Sequence, residues 1–324
     1  MNNKDRKVFW NTLCSLEGSD TAKDAQLLHN TIKYPPKIYR FRAVTINSLE
    51  GLRTNNMYFS TADYYDDPFD SYIYIDWNLV EKQIHNGYYD SSAIQNMAVW
   101  FQDKFNISTE PIVNYIHSIS YGQWVEYTKT ILVIVRKEIQ KRHLSICFAE
   151  QWDNEVLWIK YASEHKGFAL EYEINDDFLM FNENGIQHKY YLYPIYYSNQ
   201  KYNASEYALK IAYELIALYS NPIIQNYIYN NIPKLNWHYE RIGLIKHKCH
   251  EHDKEWRLLY PFIIPSYEII QRPKIERKPT SVILGLRIGD SEKNLIISLA
   301  KEAGISKIYQ LNIKENGKLG RILI

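Results

Sequence analysis

Three short stretches of the 324-residue chain put charged and hydroxyl side chains where a core would want apolar ones. The first runs from Ile38 to Asp70. It carries Arg40 and Arg42 two residues apart, Ser60 and Thr61 after Met57-Tyr58-Phe59, and Asp66, Asp67 and Asp70 around a proline. Residues two apart on a strand face the same side, and two guanidiniums on one side can clamp a phosphate or carboxylate. An alternative pairs one or both arginines with Asp66, Asp67 or Asp70 and holds the turn shut. Ser60 and Thr61 could hydrogen-bond a ligand hydroxyl or cap the turn. Asp66 and Asp70 match no metal-loop spacing.

The second stretch, Ser145 to Tyr172, contains Trp158, Tyr161 and Ala162 at helical spacing, expected to pack on a sheet. Trp158 reads as core, with a stacking platform as the alternative. His165 closes the helix, where a histidine serves the dipole or carries protons. The third stretch, Lys246 to Tyr260, holds His247, Cys249, His250 and His252. Helical spacing sends these to different faces, and no second Cys/His group lies at finger-like distance, so no structural zinc is expected. Asp253 and Glu255 precede the apolar run Trp256 to Tyr260 and put two acids at the mouth of a sheet. The alternative for Glu255 is a salt bridge to a clustered arginine.

The elements that must position these groups follow from periodicity and punctuation. Residues 1–33 read as helical, broken before Pro35-Pro36. Strands are expected near 37–42 and 56–60. Residues 78–142 carry apolar residues at intervals of three and four and read as a helical insertion outside the sheet. Further strands are expected at 145–149, 167–172, 193–197, 256–262, 282–286, 308–311 and 321–324. Asp153 is expected to cap a helix through Glu164, residues 204–232 to be helical with a break at Pro222, and Asp290 to cap a helix that Gly304 ends. Uneven helical blocks between strands, with no regular βα alternation, predict an α+β fold of one domain with a mixed, mostly antiparallel sheet.

A formal net charge of +1 offers no general attraction to nucleic acid or to an anionic membrane. No apolar run approaches the ~20 residues of a membrane span. The polar N-terminus carries no signal peptide, and three scattered cysteines make no disulfide framework, so a cytoplasmic location is expected. The 29 tyrosines fit a low-GC coding bias as well as any function.

Taken in order, Tyr39-Arg40, Phe59-Ser60, Asp67-Pro68-Phe69-Asp70, Cys147-Phe148, Trp158 to Ala162, His165-Lys166-Gly167 and Glu255-Trp256-Arg257-Leu258 resemble a large, mostly bacterial family, domain of unknown function 2971. The resemblance spans roughly residues 37–290 and implies no activity. Arg40, Ser60-Thr61 and Glu255, with Asp253 as the paired acid, also resemble ADP-ribosyltransferases. That resemblance implies NAD held between split sheets. Arg40 would hold pyrophosphate or the nicotinamide ribose, Tyr58 or Tyr65 would stack on nicotinamide, and Glu255 would stabilise positive character at the ribose. Catalysis is then assigned to Glu255, Arg40 and Ser60. The expected ligand-binding set adds Arg42, Thr61, Asp67, Trp158, Tyr161 and Arg257.

The leading expectation is therefore an NAD-using enzyme that transfers ADP-ribose to a protein or nucleic-acid acceptor or hydrolyses NAD. A bacterial toxin or phage-defence effector is the role by analogy. The alternatives are a non-catalytic sensor or interaction module of a defence system and, third, a metal-dependent nuclease built on Asp66, Asp67, Asp70 and Glu255.

Overall fold

The computed structural model describes the chain apart from residues 90–94, 97–98, 101, 104–105, 107, 184–185, 190, 219–221, 223–225, 227–229, 231–234 and 261–270. Where the sequence pointed to one domain, the chain packs as two compact units. One takes Met1–Ser71, Lys141–Lys201 and Tyr239–Ile324, the other Tyr72–Gln140 and Tyr202–His238.

The larger unit opens with α1 (Asn3–Ser15) and α2 (Thr21–His29), capped by Asn2 and Asp20 side chains that accept from the first turns. The helical reading of 1–33 thus divides in two around Gly18, which takes a positive φ of 77°. Then follow β1 (Lys37–Arg42), α3 (Ile46–Thr54), β2 (Asn56–Tyr58) and β3 (Ser60–Thr61). The single strand expected over 56–60 divides because β2 pairs with a late strand while β3 turns to another partner.

The smaller unit is helical where it is described. It holds α4 (Trp77–Tyr89), α5 (Thr109–Ser118) and all but the end of α6 (Tyr121–Arg142), together with α9 (Ser205–Leu218). Asp76 caps α4, accepting from Asn78 and Leu79, and its own N–H donates to Ser205. Inserted helices and the later 204–218 helix therefore share one unit. Most of the expected helix beyond Leu218, with Pro222 in it, falls among residues outside the description.

Returning to the larger unit, the chain continues through β4 (Leu144–Ala149), α7 (Glu155–Tyr161), β5 (Phe168–Glu173), α8 (Asp176–Leu179) and the hairpin β6 (Met180–Glu183) and β7 (Ile186–Lys189). β8 (Leu192–Pro194) and β9 (Tyr196–Ser198) precede α9. Then come α10 (His238–Gly243), β10 (Ile245–His247), β11 (Glu255–Leu259), β12 (Lys274–Glu276), β13 (Ser281–Leu284), α11 (Asp290–Glu302), β14 (Ile308–Ile313) and β15 (Leu319–Leu323). The end of the strand expected at 256–262 lies outside the described residues. The hairpin β6–β7 and β12 carry no alternation strong enough to be read from sequence.

Among the described residues nine strands form the main sheet, ordered β15-β14-β13-β5-β1-β4-β11-β8 with β3 beside β4. Its neighbours run antiparallel except β13 and β14, so the fold is α+β with a mixed, mostly antiparallel sheet. Strand alternation splits the core between the two faces. Ile38, Ile146, Phe148, Leu170, Trp256 and Leu258 pack on one side against Leu52 of α3 and Ile296 of α11. Tyr39, Phe41, Ala149 and Ala169 pack on the other against Leu157 and Trp158 of α7. No helix among the described residues is long and apolar enough to cross a membrane.

The turn after α7 fixes how closely that helix meets the sheet. Asn154, not Asp153, caps α7 through the Leu157 N–H, and the helix ends at Tyr161 rather than Glu164. It ends there because Ser163, Glu164 and His165 take φ values of 47°, 55° and 68°, a run of left-handed residues no α-helix tolerates. Backbone bonds hold the run: Glu164 N–H to Ile159, His165 N–H to Trp158 and Gly167 N–H to Ala162. Two glycines permit the fit. A Cβ on Gly167 would meet the carbonyl oxygen of Arg42, and one on Gly285 would meet that of His165. At the other end of the chain α11 begins after Gly289, with Asp290 in its first turn rather than capping it, and Gly304 (φ 75°) ends it.

Gly167→Ala and Gly285→Ala should each destabilise the protein by about 3 kcal/mol, the upper range for forcing a methyl into packed atoms, because the obstructing groups are backbone and cannot rotate away. Urea melts of the two variants check this; an unchanged midpoint for both would contradict it.

Candidate functional site

β1 and β5 pair along all six residues of β1, from Lys37↔Glu173 to Arg42↔Phe168. On its other side β1 meets β4 at one position only, Tyr39↔Ala149. Beyond that pair the two strands part. β4 continues beside β11, Cys147 opposite Arg257, and β3 comes in at Ser60↔Ser145. The parting opens a cleft of about 270 Å³. Arg40 and Arg42 of β1, Ser60 of β3, and Glu255 and Arg257 of β11 all line it, although more than two hundred residues separate the first from the last. Register places Glu255 opposite Ala149 and Ala149 opposite Tyr39, so Glu255 lies two strand spacings, about 10 Å, from β1.

One wall of the cleft is a buried charge network. Arg257 binds Asp70 through both terminal nitrogens, at 2.9 and 2.5 Å, donates from Nε to Glu255 at 2.6 Å, and donates to the Gly243 carbonyl at 2.7 Å. Lys246 Nζ takes the other Glu255 oxygen at 2.9 Å and reaches Asp253 at 3.1 Å. All five side chains are buried. The Glu255 backbone is fixed too: its N–H donates to the Tyr197 hydroxyl at 2.7 Å, and its carbonyl accepts from Arg6 at 2.9 Å. Burial alone would raise the Glu255 pKa, but Arg257 and Lys246 outweigh it and hold the carboxyl well below the usual range. The same acids hold Arg257 and Lys246 firmly protonated against burial.

The opposite wall is different. Arg40 and Arg42 are half-buried and, among the described residues, neither makes an ion pair. Arg40 lies over the Phe148 ring, 5.8 Å from its centroid, and both guanidiniums sit near Tyr172. Burial, then the like charge of Arg42, draws the Arg40 pKa down to about 9, which leaves it cationic at neutral pH. Of the aspartates that could have neutralised this pair, Asp66 lines the same cleft without an ion pair among the described residues, and the other two are engaged elsewhere. Asp70 belongs to Arg257, and Asp67 faces His250 Nε2 at 3.3 Å. The alternative in which the turn at 66–70 closes on β1 arginines is therefore replaced by a turn that closes on β11.

The remaining expected residues fall into two groups. Asp67, Tyr65 and Tyr161 line the cleft. The Tyr65 hydroxyl is engaged with Ser145, and its ring lies 5.2 Å from the Arg257 guanidinium, so it presents no free face for stacking there. Tyr58 lies on a neighbouring cavity instead. Thr61 is buried and donates to Asp63 at 2.5 Å, and Trp158 is a core residue whose indole N–H donates to the Trp152 carbonyl at 2.7 Å. Trp158 meets the Phe41 ring edge-on and stacks on His165, which seals it from a ligand in the cleft. Lys246 and Cys147 had no sequence role, yet both line the site. Lys246 gains its position from parallel pairing of β10 with β9, a non-local contact with no local signature. Cys147, pushed up to about 11 by burial and by Glu255, is a neutral thiol.

The histidine-rich segment forms a 3-10 helix over Lys248–Asp253, with His247 Nδ1 against the Cys249 sulfur and His252 turned to Asp253. Among the described residues no three His, Cys, Asp or Glu side chains converge in a metal-holding group, and Asp66, Asp67, Asp70 and Glu255 are not one.

Glu255→Gln or Asp70→Asn leaves a buried cation half-paired and should cost about 3–5 kcal/mol at neutral pH. Because the folded Glu255 pKa is depressed, its contribution is complete above the ordinary value of 4.5 and disappears as pH falls below it. Stability measured from pH 7 to pH 3 should decline more steeply in the wild type than in Glu255→Gln; parallel curves would refute the assignment.

No curated protein and no solved structure matches the chain. The family resemblance read over roughly 37–290 is matched over a shorter range, which carries α7, β5, Lys246, Asp253, Glu255 and Arg257 but neither β1 nor the turn at 66–70. Over residues 157–258, about a third of its length, the chain matches the model of the family described as protein of unknown function (DUF2971).

Proposed function

We propose that the cleft binds NAD, with its phosphates on Arg40 and Arg42, and breaks the bond between nicotinamide and ribose. One observation carries this reading: two adjacent guanidiniums without carboxylate partners face a cleft whose far wall presents a fixed, ionised carboxylate. Guanidiniums bind phosphate oxygens in a planar fork, and an unpaired, half-buried pair gains more from such a ligand than a solvated one. Glu255, held by Lys246 and Arg257, supplies negative charge where positive character develops at the ribose. Tyr161 and Tyr64 offer aromatic surface at the same cleft. The ADP-ribose released would pass to water or to a protein or nucleic-acid acceptor. A cytoplasmic toxin or phage-defence effector is the role this chemistry fits by analogy.

A second reading has its own support. Both Glu255 oxygens are already engaged by cations, which reduces the negative potential left for a transition state. The cleft would then bind the nucleotide without turnover, as the sensor of a defence system.

Arg40→Gln separates ligand binding from folding, because among the described residues Arg40 has no ion partner to lose. Purified wild type should consume NAD, and Arg40→Gln should lower both that rate and ADP-ribose affinity ten- to a hundred-fold, the worth of a charge-assisted hydrogen bond of about 1.5–3 kcal/mol, with melting temperature unchanged. ADP-ribose binding with NAD left intact would establish the sensor reading. No binding of NAD or ADP-ribose by the wild type would overturn both.

A further inference from the structure

The arginine pair borders two cavities, not one. Arg40, Phe41, Arg42, Ser60 and Tyr161 line the cleft described above and also line a second, larger space of about 620 Å³. The second space lies on the opposite face of the sheet, against α3 and β2, where Asn47, Asn56, Tyr58 and Arg272 reach it. It exists for the same reason as the first. Among the described residues β1 has no strand beside Arg40 and Arg42 on the β4 side, so the gap opens to both faces.

We infer that the two cavities are the two halves of one binding site, and that its ligand is a diphosphate with an arm on each side: a dinucleotide or a nucleoside diphosphate sugar. The inference rests on the reading that Arg40 and Arg42 hold phosphate. The first cavity, at about 270 Å³, sits at the lower edge of the ~300–1,000 Å³ typical of small-molecule sites, enough for one arm. Its lining is aromatic and acidic, which suits a ring and a sugar close to Glu255. The second is lined by amides and hydroxyls with one further cation, Arg272, which suits the hydroxyl and amine edges of a nucleoside. The Arg272 guanidinium lies 4.2 Å from the centroid of the Tyr64 ring, and Tyr64 belongs to the first cavity, so the two walls also touch at the rim. Among the described residues the cations common to both spaces are Arg40 and Arg42, and a linking diphosphate is the group that two forked guanidiniums at such a junction recognise.

The test uses ADP-ribose as the two-armed probe and AMP and ribose 5-phosphate as its halves, titrated calorimetrically into the full chain. Asn47→Trp fills the second cavity, and Arg272→Glu reverses its charge. Both positions are exposed, so melting temperatures should hold. ADP-ribose is expected to bind the wild type at least tenfold more tightly than either half. Each variant should weaken ADP-ribose at least tenfold while leaving one half within twofold of its wild-type affinity. AMP or ribose 5-phosphate binding as tightly as ADP-ribose would overturn the two-armed site and leave the phosphate reading standing. So would ADP-ribose binding unchanged in both variants. If none of the three probes binds the wild type, both readings fall together. The comparison of probes on the wild type decides the matter even if a variant fails to fold.

Discussion

β1 and β4 hold together at a single residue pair, Tyr39 with Ala149, and then diverge. A strand bonded along one edge only leaves backbone donors and acceptors facing whatever fills the space beside it. Here the space stays open in the middle of a nine-stranded sheet rather than at its margin. β5 keeps β1 in register along its whole length, and β11 does the same for β4, so both lips of the gap are rigid. Side chains that alternation would send to opposite faces therefore meet around one opening. Arg40 and Arg42 come from the face that bears Ile38, and Glu255 and Arg257 from the face that bears Ala149.

Charge balance on the two lips is unequal. Around β11, Arg257 and Lys246 pair with Asp70, Glu255 and Asp253, and the group tolerates burial because each charge has an opposite partner, although it sums to one negative charge. On β1 the two guanidiniums have aromatic neighbours and each other. Like charges this close are a standing cost unless an anion joins them, and the fold keeps them beside two open cavities. Paired and unpaired charges thus fall to different lips of the same gap.

Much of this was legible in the sequence, and the pattern of what was not is physical. Strand alternation exposed the arginines, the acids and the apolar runs around them, because a period of two survives in any single segment. The partners of those groups were not legible. Arg257 finds Asp70 across 187 positions, and Lys246 finds Glu255 only because β10 is laid along β9. Local signals misled where tertiary contact overrode them. Trp158, at a spacing that fits either role, is sealed between α7 and the sheet, and the Asp153 cap yielded to Asn154 one residue later. The hairpin at 180–189 and the short β12 left no periodic trace to read.

Arg6 shows how far the support of the cleft extends along the chain. It sits in α1, is almost wholly buried, and its Nη1 donates to the carbonyls of Ile195 and Glu255, while its other terminal nitrogen holds Glu150. The first helix is thereby a bracket for the first residue of β11. A chain shortened to begin at β1 would keep every group that lines the cleft and lose the anchor that aims one of them. Boundaries drawn around the sheet alone would thus yield a protein with the right residues and a slack site.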